Sequence, residues 1–180
     1  CQAKFAMQDT ELIGILWHQG ESDSCDGKHQ TYYEKLQTMT AALRQELNAP
    51  EIPFILGGLG GFLGKSGLGA NCTEYELVNR GLLRFAQEQK NSYFVTAEGL
   101  TPNPDGIHMD AASQRRFGVR YYEAFSKRKN VLSPLENKME MLDRCINVPY
   151  TKGEKMHLAM MDFISGKMTY EELCRKFENI

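Results

Sequence analysis

The sequence has neither a long apolar run nor an excess of charge of one sign. Its 180 residues carry 21 basic and 23 acidic side chains, for a formal net charge of −2, and this balance disfavours nucleic acids and anionic membranes as partners. No apolar stretch reaches the roughly 20 residues that a membrane-spanning helix requires. With 42% hydrophobic residues, the chain is long enough to bury a core of its own. We therefore expect a globular protein and predict a cytoplasmic location.

The sequence also lacks the patterns of a disulfide framework, a zinc site or a nucleotide-binding loop. Its five cysteines are scattered and form no Cys-x-x-Cys pair, so reduced thiols are the simplest interpretation. His18 and His157 have no ligand-type residue close by in sequence. The segment ending in Gly64-Lys65-Ser66 resembles a phosphate-binding loop, but Leu59 occupies the position that requires glycine. We expect no metal and no organic cofactor.

Strand and helix patterns alternate over the first three quarters of the chain. The apolar run 11–17 predicts a strand buried on both faces. Two further strands are predicted at 52–56 and 93–97, and helices at about 32–48, 73–89 and 111–128, the last capped by Asp110. Three successive strand–helix units predict a parallel sheet with right-handed crossovers. Ligands then bind beyond the carboxyl ends of the strands, where the three connecting loops lie.

The pattern changes near Ser133, which suggests two regions. We predict an α/β domain over residues 1–132 and a helical extension over residues 133–180. The extension contains three short helical patterns and no strand, at 135–145, 152–164 and 169–177.

The tetrapeptide Asp105-Gly106-Ile107-His108 is the strongest indication of chemistry. A carboxylate three residues before an imidazole can hold the orientation and tautomer of the ring, while its other nitrogen faces a reacting group. The same spacing recurs at Asp26 and His29, so spacing alone does not decide between the two pairs. We prefer the later pair because prolines stiffen its loop and Ile107 can anchor it in the core. The earlier pair we interpret as a solvated turn before a helix.

The loop after the first strand is the second candidate. Gln19 could donate an amide N–H to a developing oxyanion, and Gly20 permits close approach of the backbone. The alternative is structural, since turns after buried strands are often polar and rich in glycine. Similarly, the Gly-rich loop 57–71 is either a flexible loop facing substrate or a plain surface loop.

With Gln-Gly-Glu-Ser after an early strand and Asp-Gly-Ile-His before the last domain helix, the sequence resembles the SGNH/GDSL hydrolase superfamily. The similarity is to its sialate O-acetylesterase-like and acetylxylan esterase-like branch, carbohydrate esterase family 6, over about residues 12–125. This resemblance implies a three-layer α/β/α flavodoxin-like fold. It also implies hydrolysis of acetyl esters on sugars by a serine, with His108 as general base, Asp105 as its orienting acid, Gln19 as an oxyanion donor, and Glu21 organising the loop beside Gly20.

The family's nucleophilic serine lies in a Gly-Gln-Ser-Asn-like block after a first strand, and no such block is present before Glu11. Ser22 and Ser66 lie in the candidate loops, but neither is in a matching motif. We therefore expect the chain to be the carboxyl-terminal part of a longer enzyme, inactive alone, that lacks the first strand or strands. Its partners would be an acetylated carbohydrate and either a preceding segment packed on strand 12–17 or a second copy of the chain. The alternative is a non-catalytic carbohydrate-binding remnant of such a hydrolase.

Overall fold

The computed structural model describes residues 2–135 and 149–180. The chain divides into two compact units, Cys1–Met139 and Glu140–Ile180. The boundary after residue 132 stays a prediction, and the helix predicted at 135–145 lies, except for its first residue, outside the described residues.

The first unit contains the predicted parallel sheet. Strands β1 (Ile15–Trp17), β2 (Phe54–Gly57) and β3 (Ser92–Val95) lie side by side in the order β1–β2–β3. Ile15 aligns with Phe54, and Phe54 aligns with Ser92. All four residues of β2 are buried, as expected for the central strand of a sheet covered on both faces.

Helices cover the two faces of the sheet and make a three-layer α/β/α arrangement. Residues of this unit form α1 (Gln2–Ala6), α2 (Tyr32–Glu46), α3 (Tyr75–Glu88) and α4 (Ala111–Lys127). Phe54 packs its ring against Phe85 of α3. Gly57, which points to the opposite face because side chains alternate along a strand, lies under Tyr121 of α4. The predicted α/β fold is confirmed.

Asp110 caps α4 as the sequence predicts. Its side chain accepts a hydrogen bond from the backbone N–H of Ser113 at 2.7 Å, which satisfies one of the donors left free at a helix start. The cap fixes the end of the loop that carries Asp105 and His108.

The second unit is helical in its described residues. It contains α5 (Lys152–Ile164) and α6 (Tyr170–Glu178). Thr151 and Thr169 each form a capping box with a glutamate three residues later, which explains why both helices begin where they do.

The prediction that the first strand is buried on both faces is wrong. Leu16 is 62% exposed, and the regular strand is limited to Ile15–Trp17. The physical reason is position: β1 is at the end of the strand order, and α4 packs on β2 and β3. Leu16 consequently contributes to an open apolar groove with Ile13, Tyr122 and Phe125.

Candidate active site

The Asp105 loop connects β3 to α4 at the carboxyl edge of the sheet. Backbone hydrogen bonds from Asn103 to the His108 carbonyl and from Asp110 to the Thr101 carbonyl close it into a narrow turn. Met109 is buried and Ile107 packs against the core. These two apolar side chains anchor the turn, as the sequence predicts for Ile107, and leave His108 facing outward.

Asp105 and His108 form a direct pair. The Asp105 Oδ2 atom lies 2.7 Å from His108 Nδ1, while Oδ1 accepts the backbone N–H groups of Ile107 and His108, each at 3.0 Å. The hydrogen bond from His108, followed by the two backbone N–H groups, lowers the pKa of Asp105 to about 2. An ionised carboxylate can only accept, so Nδ1 carries the proton and Nε2 is free to take one. The His108 side chain is 71% exposed.

The Gly-rich loop after β2 supports this turn from behind. Leu68 donates its backbone N–H to the Asp105 carbonyl at 2.8 Å. A Cβ on Gly106, whose φ is +75°, would lie 2.4 Å from the Ser66 carbonyl oxygen, so no larger residue fits between the two loops. Leu59 and Leu63 are buried. The first part of the loop 57–71 is therefore packed behind the site, while residues 65–68, 70 and 71 are exposed, and the role of the loop towards substrate stays a prediction.

The loop after β1 is built around Gly20. This residue is buried, with φ of +145°, and a Cβ here would lie 2.7 Å from Val78 Cγ1. Its N–H donates to Glu21 Oε2 at 3.1 Å, and its carbonyl accepts the hydroxyl of the fully buried Ser24 at 2.8 Å. Gly20 thus allows the loop to pack closely against Val78 of α3, and its predicted role beside the substrate stays a prediction.

Gln19 makes a contact that the sequence did not indicate. Its side-chain amide donates to Asp23 Oδ2 at 3.0 Å. Its backbone carbonyl accepts a hydrogen bond from the hydroxyl of Tyr32 at 2.7 Å. Burial is the main reason that the pKa of Tyr32 is raised to about 12, and its hydroxyl stays protonated and donates this hydrogen bond. Both contacts fix the loop at the end of β1.

A cleft of about 330 Å³ brings the two loops together. His108 and Glu21 line it from the two loops, and α4 forms its floor. His18 also lines the cleft, with its ring 5.3 Å from Phe117 in an edge arrangement. Sequence reasoning missed His18, and its position directly after a strand was the available signal. The other lining residues include Ile107, Met109, Gln114 and Tyr121.

The structure distinguishes the two Asp/His pairs. His29 Nδ1 lies 3.0 Å from Glu74 Oε2, and Asp26 pairs with Lys28 instead. Glu74 also accepts the backbone N–H of Gly27 at 2.9 Å. The His29 side chain, 20% exposed, therefore helps to connect the loop after β1 to the segment before α3. The interpretation of this stretch as merely solvated is incomplete.

In the part of the chain that the structure describes, no serine hydroxyl contacts the His108 ring, whose hydrogen bond is to Asp105. Ser22 and Ser66 are exposed. The hydroxyl of Ser24, the other serine of the first loop, donates its hydrogen bond to the Gly20 carbonyl. The same residues contain no cluster of three or more side chains that could hold a metal ion, and none of their helices is long and apolar enough to cross a membrane.

A family model of carbohydrate esterases, described as sialic acid-specific acetylesterase, matches residues 1–127. The chain belongs to this family. The predicted resemblance to sialate O-acetylesterase-like proteins is therefore confirmed at the family level, and the match covers the sheet, the cleft and both loops.

One relative of this esterase-family chain is a probable carbohydrate esterase of Arabidopsis thaliana, 29% identical over 119 residues. A solved X-ray structure of an Arabidopsis thaliana protein shares its fold, with a TM-score of 0.59 and 24% identity over 70% of this chain. The chain spans 40% of the length of the first protein and 48% of the second.

Proposed function

We propose that this chain supplies the general base and its orienting acid to a carbohydrate O-acetylesterase whose nucleophilic serine lies outside these 180 residues. The observation that carries the proposal is the 2.7 Å contact between Asp105 Oδ2 and His108 Nδ1 in the cleft. Family membership supports the esterase class, and the position at the carboxyl edge of a parallel sheet is where such folds bind ligands.

In this mechanism Asp105 keeps the His108 ring in the tautomer with the proton on Nδ1. The Nε2 atom accepts the proton of the serine hydroxyl as the serine oxygen attacks the acetyl carbonyl. The imidazolium then returns that proton to the departing sugar oxygen. Water repeats the sequence on the acetyl-enzyme and releases acetate.

The loop after β1 would stabilise the negative charge on the carbonyl oxygen. The Gln19 amide has two N–H groups, and one of them is held by Asp23. The proposed mechanism assigns the second N–H to the oxyanion, although Gln19 itself is not among the residues that line the cleft beside His108. Glu21, which accepts the Gly20 N–H, holds the adjacent backbone and contributes a carboxylate to the cleft.

The cleft has the mixed character that a sugar ester requires. His18, Glu21 and Gln114 offer polar groups, and Phe117 and Tyr121 provide apolar surface. A pyranose ring also has polar edges and an apolar face, so these groups fit an acetylated monosaccharide.

The exposed apolar groove supports the proposal that a preceding segment carries the serine. Ile13 and Leu16 are each 62% exposed, and Tyr122 is 61% exposed. A segment packed on this side of β1 would cover these side chains. A second copy of the chain on the same groove is the other occupant, and the mass of the purified chain in solution distinguishes the two.

The test compares the 180-residue chain with the same chain extended by its natural upstream sequence. We expect only the extended protein to hydrolyse 4-nitrophenyl acetate and to be labelled by a fluorophosphonate, on a serine before residue 1. His108→Ala should lower the rate of hydrolysis by about 10²–10⁴-fold. Asp105→Asn should lower it by up to about 10⁴-fold.

The matched controls are His29→Ala, which removes a ring that pairs with Glu74, and His157→Ala, which removes an exposed ring. Activity of the 180-residue chain alone, or equal activity of His108→Ala, contradicts the proposal.

The second candidate is a carbohydrate-binding remnant without catalysis. It is favoured by the finding that, within residues 2–135 and 149–180, His108 has no serine partner. Binding of an O-acetylated sialic acid to the 180-residue chain, together with an extended protein that binds the sugar and never releases acetate, would support this candidate over the esterase.

A further inference from the structure

Two cysteines that are 47 positions apart in sequence meet beside the candidate site. Cys25 Sγ lies 3.8 Å from Cys72 Sγ. Cys25 belongs to the loop after β1 and Cys72 to the end of the loop after β2, so the contact joins two connections at the same edge of the sheet.

The backbones around this thiol pair are already tied together. Glu74 donates its N–H to the Ser24 carbonyl at 2.9 Å, and Gly27 donates its N–H to the Glu74 carboxylate at 2.9 Å. Ser24 and Gly27, which lie on either side of Cys25, are thereby both tied to Glu74, two residues after Cys72. A disulfide has a sulfur–sulfur distance of about 2.05 Å, so the two sulfurs must approach by less than about 2 Å in total.

We propose that Cys25 and Cys72 are a modification site, a dithiol that is converted reversibly to an intramolecular disulfide. Cys25 is half-buried and Cys72 only 4% exposed, so Cys25 is the sulfur that an external reagent reaches first. Burial and the neighbouring Cys25 raise the pKa of Cys72 to about 11, which keeps Cys72 a thiol until the first step has occurred.

The oxidant is a low-molecular-weight disulfide, and the exchange is balanced. The Cys25 thiolate attacks one sulfur of the reagent, whose disulfide bond breaks and releases one thiolate. Cys72 loses its proton and attacks the Cys25 sulfur of the mixed disulfide, and the second reagent thiolate leaves. The two protein thiols are oxidised, one reagent disulfide is reduced to two thiols, and those thiols take up the two protons.

The bond would join the loop that carries Glu21 of the cleft to the loop after β2, which packs against the Asp105 turn. Cys25 donates through its Sγ to the carbonyl of Glu21 at 3.7 Å. The loop that carries Cys72 also holds the Asp105 turn, through the Leu68 N–H. Oxidation would therefore place a covalent link between the supports of Glu21 and of Asp105.

The experiment equilibrates the 180-residue chain with mixtures of reduced and oxidised glutathione and then blocks free thiols by alkylation. Trypsin cleaves after Lys4, Lys28, Lys65 and Arg80, so Cys25 and Cys72 fall in separate peptides that each contain a single cysteine. We expect the major oxidised product to be the cross-linked pair of these peptides, two hydrogen atoms lighter than their sum. The oxidised chain should also show a thermal midpoint at least about 5 °C higher.

Cys174→Ser is the matched control, because Cys174 is also partly exposed and lies in the second unit. This variant should form the cross-link as the parent does. Cys25→Ser should leave Cys72 reduced, and Cys72→Ser should stop at a glutathione adduct on Cys25; Cys72→Ala replaces the latter variant if it does not fold. A parent chain that accumulates the Cys25 adduct, remains fully reduced, or cross-links its cysteines at random would overturn the proposal. None of these readouts depends on esterase activity.

Discussion

Replacing Gly20 by alanine should destabilise the first unit by about 3 kcal/mol. A φ of +145° lies in a region that is essentially restricted to glycine, and forcing another residue into it costs about 1–3 kcal/mol. The added Cβ would also lie 2.7 Å from Val78 Cγ1, in the interior of the unit. Overpacking of this kind costs about 1–3 kcal/mol more.

The two contributions can be measured separately. Gly99 has φ of +73°, and a Cβ at this position would meet nothing within 4 Å, so Gly99→Ala reports backbone strain alone and should cost about 1–2 kcal/mol. Gly118 lies within α4, also in open space, and Gly118→Ala should stabilise by about 0.5–1 kcal/mol. The combination of Gly20→Ala with Val78→Ala should cost less than the sum of the two single changes, since the contact is then removed.

Urea unfolding followed by tryptophan fluorescence is the assay. Trp17 is the single tryptophan of the chain, and it lies in β1 three residues before Gly20, so its emission reports this unit. A loss of about 3 kcal/mol corresponds to a fall in thermal midpoint of about 10 °C. The reasoning is refuted if Gly20→Ala costs no more than Gly99→Ala, or if the double variant shows no coupling.

Three further predictions concern the same loops. The Asp105 carboxyl should titrate near pH 2 by NMR, against an ordinary value of 3.8; because the folded-state pKa is lowered, its stabilising effect is complete above pH 4 and is lost as the pH falls towards 2. In His108→Ala this pKa should rise but stay below 3.8, since the two backbone N–H donors remain, and an unchanged titration would exclude the pair. Ser24→Ala should cost about 1 kcal/mol in urea unfolding, because the Gly20 carbonyl loses the hydrogen bond from the buried Ser24 hydroxyl and keeps the one from the Asp23 N–H, whereas Ser22→Ala, on the surface, should stay within about 0.5 kcal/mol. Tyr121→Phe should cost about 1–2 kcal/mol, because the Trp17 carbonyl loses its 2.7 Å hydrogen bond; an unfolding midpoint equal to that of the parent would contradict this.

Local patterns were sufficient where the deciding interaction is local. Asp110 caps α4 through a contact three residues away, and the pair of Asp105 and His108 is likewise closed within one turn. The alternation of strand and helix predicts a parallel sheet because connections of that length allow little else. Each of these inferences rests on interactions between neighbours in sequence.

Predictions failed where distant segments decide. The partner of His29 is Glu74, 45 positions away. The exposure of Leu16 depends on where α4 crosses the sheet. The burial of Leu59 and Leu63 depends on the glycines that let two loops touch.

The sequence by itself determined the parallel α/β arrangement, the cap of α4 and the poised imidazole, since periodicity and short-range hydrogen bonds depend on residues within a few positions. Only the tertiary structure decided that His18 and Glu21 share a cleft with His108, and that Cys25 meets Cys72. Those juxtapositions arise from the packing of loops at one sheet edge, where side chains from separate parts of the chain are brought within a few ångströms of each other.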